Sequence, residues 1–138
     1  MNILIIDGQG GGVGRQLVEN IKKTFPGEVI TAVGTNAMAT QAMLKAGADR
    51  AATGENAVIV GCRTADIIIG PIGIAIADSL WGEITPGIAL AVGQSSALRI
   101  LLPMNLCNNY IAGADRMNTS AMIGDCLEKI QQFLIQKG

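Results

Sequence analysis

The stretch NILIIDGQGGGVGRQLVENIKK, residues 2–23, decides how the chain folds. Four apolar residues, Ile3 to Ile6, read as a short buried strand, and Asp7 ends it. Five glycines follow within seven positions: Gly8, Gly10, Gly11, Gly12 and Gly14. An amphipathic helix then begins, with Val13, Leu17, Val18, Ile21 and Phe25 on one face. Strand, glycine turn and helix is how an α/β domain builds an anion site. The first N–H groups of a helix lack partners, and the helix dipole adds positive potential there. Glycine serves where the backbone takes a positive φ or where a ligand must come close.

Outward from this unit, strands and helices alternate. Pro26-Gly27 is a turn, and EVITAVG (28–34) reads as the second strand. Thr35-Asn36 can cap a helix over 37–46, with Met38, Ala42, Met43 and Ala46 inward and Gly47 as its stop. Residues 50–52 form a short third strand. TGEN (53–56) opens a helix to Thr64, with Val58, Ile59 and Cys62 inward. DIIIG (66–70) is a clear strand, and GPIG (70–73) a tight connection. Helix is expected over 74–80, and again from Thr85-Pro86 to Ser95, because Thr caps and Pro fits the first turn. RILL (99–102) is a strand, 105–109 a polar loop and 110–113 an edge strand. From Asn118 or Thr119 a last helix buries Met122, Ile123, Cys126, Leu127, Ile130, Phe133 and Leu134. Short apolar strands between helices argue for a mostly parallel sheet covered on both faces. The expected fold is a three-layer, Rossmann-like α/β domain with strand order 3-2-1-4-5, the helix over 53–64 crossing from strand three to strand four. A flavodoxin-like order fits the same pattern.

Composition narrows the function classes. By length, 138 residues make one domain. Hydrophobic residues reach 49% and charged residues 15%, which points to strands buried on both faces or to a subunit interface. Self-association is therefore expected. A net charge of −1 and 3% aromatics argue against nucleic-acid binding. Three separated cysteines, with no C-x-x-C pair, read as reduced thiols in a cytosolic protein. The absence of histidine removes the usual general base and most zinc sites. No targeting signal is apparent, and the most apolar window, 67–77, is broken by Gly70, Pro71 and Gly73, so no membrane span is expected.

Three glycine signatures can be tested. G-x-G-x-x-G fails, since its third glycine falls on Val13 or Arg15, and no Asp or Glu closes the second strand where a ribose would be held. The run Gly11-Gly12-Val13-Gly14-Arg15 resembles the G-G-x-G-K core of the ParA/MinD-type ATPases. There, however, Arg15 replaces the lysine and Gln16 the magnesium-binding hydroxyl. Residues 7–14 (DGQGGGVG) are most similar to the T-G-x-x-x-G-[IL]-G turn of short-chain dehydrogenase/reductases, which implies Gly8, Gly12 and Gly14 at a pyrophosphate. The Y-x-x-x-K of that family is missing, because Tyr110 is followed four residues on by Ala114. Over nearly the whole chain, DGQGGGVGR (7–15), GTNAMAT (34–40), ATGENA (52–57), DIIIGPIGI (66–74) and LLPMNLCN (101–108) resemble a family of short bacterial proteins known as a domain of unknown function. That resemblance implies a bacterial cytosolic protein and no particular activity.

In open α/β sheets ligands bind outside the carboxyl ends of the strands. Those ends collect Asp7, Gly8, Gln9, Gly10, Gly11, Gly12, Gly14, Arg15, Thr35, Asn36, Gly70, Pro71, Gly73, Asn105 and Asn108 as candidate cofactor-binding residues. Thr53, Glu55, Asn56 and Asn109 lie nearby. Amides and hydroxyls around an anion-binding loop suit ribose, base or sugar. Each has a plainer reading: Asp7 bracing the glycine turn, Arg15 pairing with Glu19, Thr35 and Asn36 capping a helix. Cys107 lies on a loop with nothing near it in sequence to lower its pKa. The expected function is binding of a small phosphorylated ligand, a nucleotide or dinucleotide among the possibilities, with no recognisable catalytic set and no metal. One alternative is a small oxidoreductase or transferase using Asp7 or Glu55. Another is a structural or partner-binding module.

Overall fold

A computed structural model of the protein describes residues 1–104, 106, 108–114 and 117–137. Five parallel strands form one sheet in the order β3-β2-β1-β4-β5: β1 Asn2–Asp7, β2 Val29–Gly34, β3 Arg50–Thr53, β4 Ile67–Pro71 and β5 Leu98–Leu102. The helices are α1 Gly12–Thr24, α2 Ala37–Lys45, α3 Glu55–Thr64, α4 Pro86–Gln94 and α5 Thr119–Lys137. This is the expected Rossmann-like arrangement, with α3 crossing from β3 to β4.

The alternation of β1 explains the layers. Successive side chains on a strand point to opposite faces. Ile3 and Ile5 pack with Leu17, Val18 and Ile21 of α1, Met43 of α2 and Ile123, Cys126 and Ile130 of α5. Leu4 and Ile6 pack with Val58 and Cys62 of α3 and Ile88 and Val92 of α4. Strand β1 sits third of five and is buried on both faces, which is why its sequence is continuous Ile and Leu. Side chains fix the helix starts. Asn36 Oδ1 accepts from Ala39 N–H at 2.9 Å, Thr85 Oγ1 from Ile88 N–H at 3.1 Å, and Asn118 Oδ1 from Ala121 N–H at 2.8 Å.

Three expectations need correction. Residues 74–80 are not an α-helix. A 3₁₀ turn over Ile72–Ala75 is followed by a tight coil in which Asp78, Leu80 and Trp81 take φ of 68°, 56° and 56°. Left-handed residues cannot continue a right-handed helix. Ile74, Leu80 and Ile84 are nevertheless buried, so the apolar pattern there reports core contacts and not helical period. Residues 110–113 are not a strand. Ala114 N–H closes a turn on the Ile111 carbonyl, and Tyr110 is exposed. Met38 is 70% exposed. The Asn36 cap sets the register of α2, and its inner face is Ala39 and Met43, one turn apart.

On the α3 side, Thr31, Val33, Arg50 and Ala52 line an open cleft of about 260 Å³ near the amino ends of the strands. Val60 of α3 and Leu90 of α4 are exposed. Among the described residues no helix is long and apolar enough to cross a membrane.

Gly70 is glycine because β1 runs too close for anything else: a Cβ there would collide with the Ile6 carbonyl oxygen. Backbone cannot move aside as a flexible side chain can. Gly70→Ala should therefore destabilise the fold by about 1–3 kcal/mol, as overpacking of a filled core does, read as a lower urea midpoint.

Candidate functional site

Parallel register brings Asp7, Gly34 and Thr53 level at the carboxyl edge of the sheet, with Pro71 ending β4 beside them. The glycine loop stands on this edge. Asp7 is 2% exposed, and both its carboxylate oxygens are engaged. Oδ1 accepts from Gly8 N–H at 2.8 Å and Oδ2 from Gly14 N–H at 2.7 Å. Gly11 N–H donates to the Gly8 carbonyl (2.9 Å), and Arg15 N–H to the Gly11 carbonyl (2.8 Å). Asp7 therefore caps α1 from behind, across seven residues of sequence. Burial pushes its carboxyl above the ordinary range, and the Glu83 charge adds to this, while the two N–H donors oppose it.

The five glycines separate by cause. A Cβ on Gly8 would meet Thr35 Oγ1 at 2.6 Å, and one on Gly14 would meet Met43 Sδ at 2.5 Å and Asp7 Cβ at 2.9 Å. Gly11 has φ +73° and lies against the α2 backbone at Ala39. These three are required by turn and packing. Gly10 and Gly12 are not: a Cβ on either meets nothing within 4 Å, and neither has a positive φ. The N–H groups of Gly10, Gly12 and Val13 have no hydrogen-bond partner among the described residues. Among the described residues Arg15, in the first turn of α1, has one ion-pair contact, with Glu19 at 3.6 Å, both side chains being at least half exposed.

Thr35 and Asn36 follow β2. Thr35 N–H donates to the Asp7 carbonyl at 3.0 Å, tying the exit of β2 to that of β1. Besides capping α2, Asn36 donates from Nδ2 to the Gln9 carbonyl (2.9 Å) and to Glu83 Oε1 (2.8 Å). Glu83 is the residue that the sequence reading missed. Its Oε1 also accepts from Thr35 Oγ1 at 2.5 Å and from Gln9 N–H at 2.9 Å. Burial pulls the Glu83 carboxyl upward, but the bonds from Thr35, Gln9 and Asn36 outweigh it and hold the group below its ordinary value. A signal for Glu83 existed. It is one of two acids, with Asp78, in the connection that leaves β4 at the carboxyl edge, and an α-helix over 74–80 would not have placed it against β2.

The remaining candidates are less concentrated. Gly70, Pro71 and Gly73 are buried, and their turn is filled by Ile74 and Ser79 of the chain itself. Thr53 and Thr40 share a hydroxyl contact at 2.7 Å. Glu55 accepts from the Thr85 hydroxyl, joining the starts of α3 and α4 away from the loop. Asn56 and Asn108 are exposed. Asn105 and Cys107 lie outside the described residues. Cys62 and Cys126 are buried, which pushes both thiols up to about 11, so neither is a thiolate at neutral pH.

A family model described as a domain of unknown function, DUF3842, matches residues 2–135. The chain belongs to this family. No curated protein matches it. Among solved structures it is similar to a dodecameric FMN-dependent Ubix-like decarboxylase from Escherichia coli O157:H7, at 14% identity, TM-score 0.46, 96% of this chain and 94% of that one. It is also similar to a nucleoside-diphosphate-sugar epimerase from Pseudomonas aeruginosa, at 10% identity, TM-score 0.44, all of this chain and 49% of that one.

Asp7→Asn tests the brace in this DUF3842 protein. An amide offers one acceptor oxygen and turns an N–H₂ group toward the other donor. Leaving one buried N–H unmatched should lower stability by about 1–3 kcal/mol, with amide exchange at Gly8 or Gly14 accelerating first.

Proposed function

We propose that the protein binds a nucleotide or another phosphorylated metabolite, with the anionic group held by the N–H groups that open α1. Gly12 carries this reading. Neither neighbouring atoms nor backbone conformation requires glycine there, and its N–H stands free at a helix start whose dipole favours an anion. A backbone stripped of Cβ where nothing of the protein approaches is what close access by a phosphate demands. Gly10 and Val13 N–H are further donors, and Arg15 supplies the nearest cationic side chain on the same turn. In this reading Asp7 is a positioning residue. It occupies the Gly8 and Gly14 donors and so fixes where the remaining ones point. Thr35 and Asn36 line the neighbouring strand end and suit a sugar or base. The exposed Val60 and Leu90 on adjacent helices α3 and α4 support self-association through that face.

Two measurements check this. In a thermal-shift screen with NAD, NADP, FAD, ATP, GTP and sugar phosphates, at least one compound should raise Tm. Gly12→Ala should keep stability within about 1 kcal/mol of wild type, yet weaken that ligand about tenfold or more. Gly12→Asp should abolish the shift. A panel with no shift, or a shift that survives Gly12→Asp, overturns the assignment. Light scattering should give a mass above the 14.3 kDa monomer, lowered by Val60→Asp with Leu90→Asp; a monomeric wild type rejects self-association.

A further inference from the structure

Strand β2 ends at Gly34 and is followed by Thr35-Asn36, without the acid that closes the second strand in dinucleotide folds and accepts a hydrogen bond from a ribose hydroxyl. The structure brings a carboxylate to that place by another route. Glu83 belongs to the connection between β4 and α4, far along the chain. Its Oε1 nevertheless rests on Thr35 Oγ1, Asn36 Nδ2 and Gln9 N–H, at 2.5, 2.8 and 2.9 Å, directly beyond the end of β2. All three donors fall on the same oxygen. Oε2 has no hydrogen-bond partner among the described residues, and the side chain is only partly buried. The carboxylate is thus fixed by one oxygen and free to accept with the other.

From this geometry we infer that Glu83 is the ribose acceptor of the site, its Oε2 receiving the 2′-hydroxyl of a ribose whose phosphate lies elsewhere on the sugar. The ligand class is then a ribonucleotide with a free 2′-hydroxyl. The negative charge rejects a 2′-phosphate. It stays charged at neutral pH, since its three hydrogen bonds hold the carboxyl low against the effect of burial. Gly8 has no Cβ to crowd the carboxylate, which would otherwise stand 2.9 Å from it. The inference rests on the nucleotide reading above and adds to it the sugar and the residue that selects it.

The contrary reading is that Glu83 is a plug, an internal anion filling donors meant for the ligand. One experiment separates the two. Binding of the common ribonucleoside diphosphates, their 2′-deoxy counterparts and 2′-phospho-ADP is followed by calorimetry and by the fluorescence of Trp81, the only tryptophan, which is 95% exposed two residues from Glu83. Wild type should prefer at least one ribonucleotide over its deoxy form by about tenfold, the worth of one hydrogen bond to a charged group, and should reject 2′-phospho-ADP. Glu83→Gln, which can only donate to the hydroxyl oxygen from Nε2, should reduce the deoxy discrimination and ease the rejection of 2′-phospho-ADP. Glu83→Ala, which releases Gln9 N–H, Thr35 and Asn36 as donors, should admit 2′-phospho-ADP at least as well as ADP. Equal binding of ribo and deoxy forms by wild type, with Gly12 still required, overturns this inference alone. Tighter binding of every nucleotide by Glu83→Ala also overturns it, in favour of the plug. No nucleotide binding by wild type overturns it together with the reading it rests on.

Discussion

The buried carboxylate of Asp7 is the contact on which the carboxyl edge depends. A charge at 2% exposure is tolerated only when its oxygens are satisfied, and here the glycine turn satisfies both. The bonds to Gly8 and Gly14 N–H span the whole loop, so they close it as a staple would, using backbone alone. The carbonyl of the same residue takes Thr35 N–H, which fixes the exit of β2 to that of β1. One residue therefore sets the entry of α1 and the start of the β2–α2 turn. It also occupies the Gly8 and Gly14 donors, so the anion site proposed above falls to Gly10, Gly12 and Val13.

Much of the fold was legible because burial and period agree in it. Residues Ile3 to Ile6 lie buried on both faces, and their composition says so. The caps at Asn36, Thr85 and Asn118 sit where local chemistry alone places them. The failures share a cause. In 74–84 the apolar residues answer to tertiary contacts across the β4 end, and no local period encodes three left-handed residues in a coil. Met38 was misplaced because a hydrophobic side chain was taken as a buried one, although its exposure is decided by the cap two residues earlier. At the site, the glycine loop was readable as a loop but not glycine by glycine. Five look alike in sequence, and only neighbours in space separate the three that packing demands from the two it does not. Glu83 could be placed only coarsely, as an acid after β4, because its partners lie 47, 48 and 74 residues away.

The two carboxylates also give the loop a polarity. Asp7 and Glu83 both stand at its beginning, around Gly8 and Gln9, and their mutual repulsion is part of what lifts Asp7. The end of the loop, from Gly10 to Arg15, has no acid in the first helical turn and carries the free N–H groups and the one cation. A ligand charged throughout would suffer at the first end, and a ligand with no charge would gain little at the second. The molecule that suits both has a hydroxylated, uncharged portion beside Glu83 and an anionic portion at the start of α1. A ribose carrying its phosphate on the far side meets that description. A free inorganic anion does not, since it would have to choose between the vacant donors and the approach to a fixed carboxylate. On the proposed reading the Glu83 carboxylate is half of a binding surface: Oε1 is held against the protein by Gln9, Thr35 and Asn36, which leaves Oε2 as the atom that would meet the ligand.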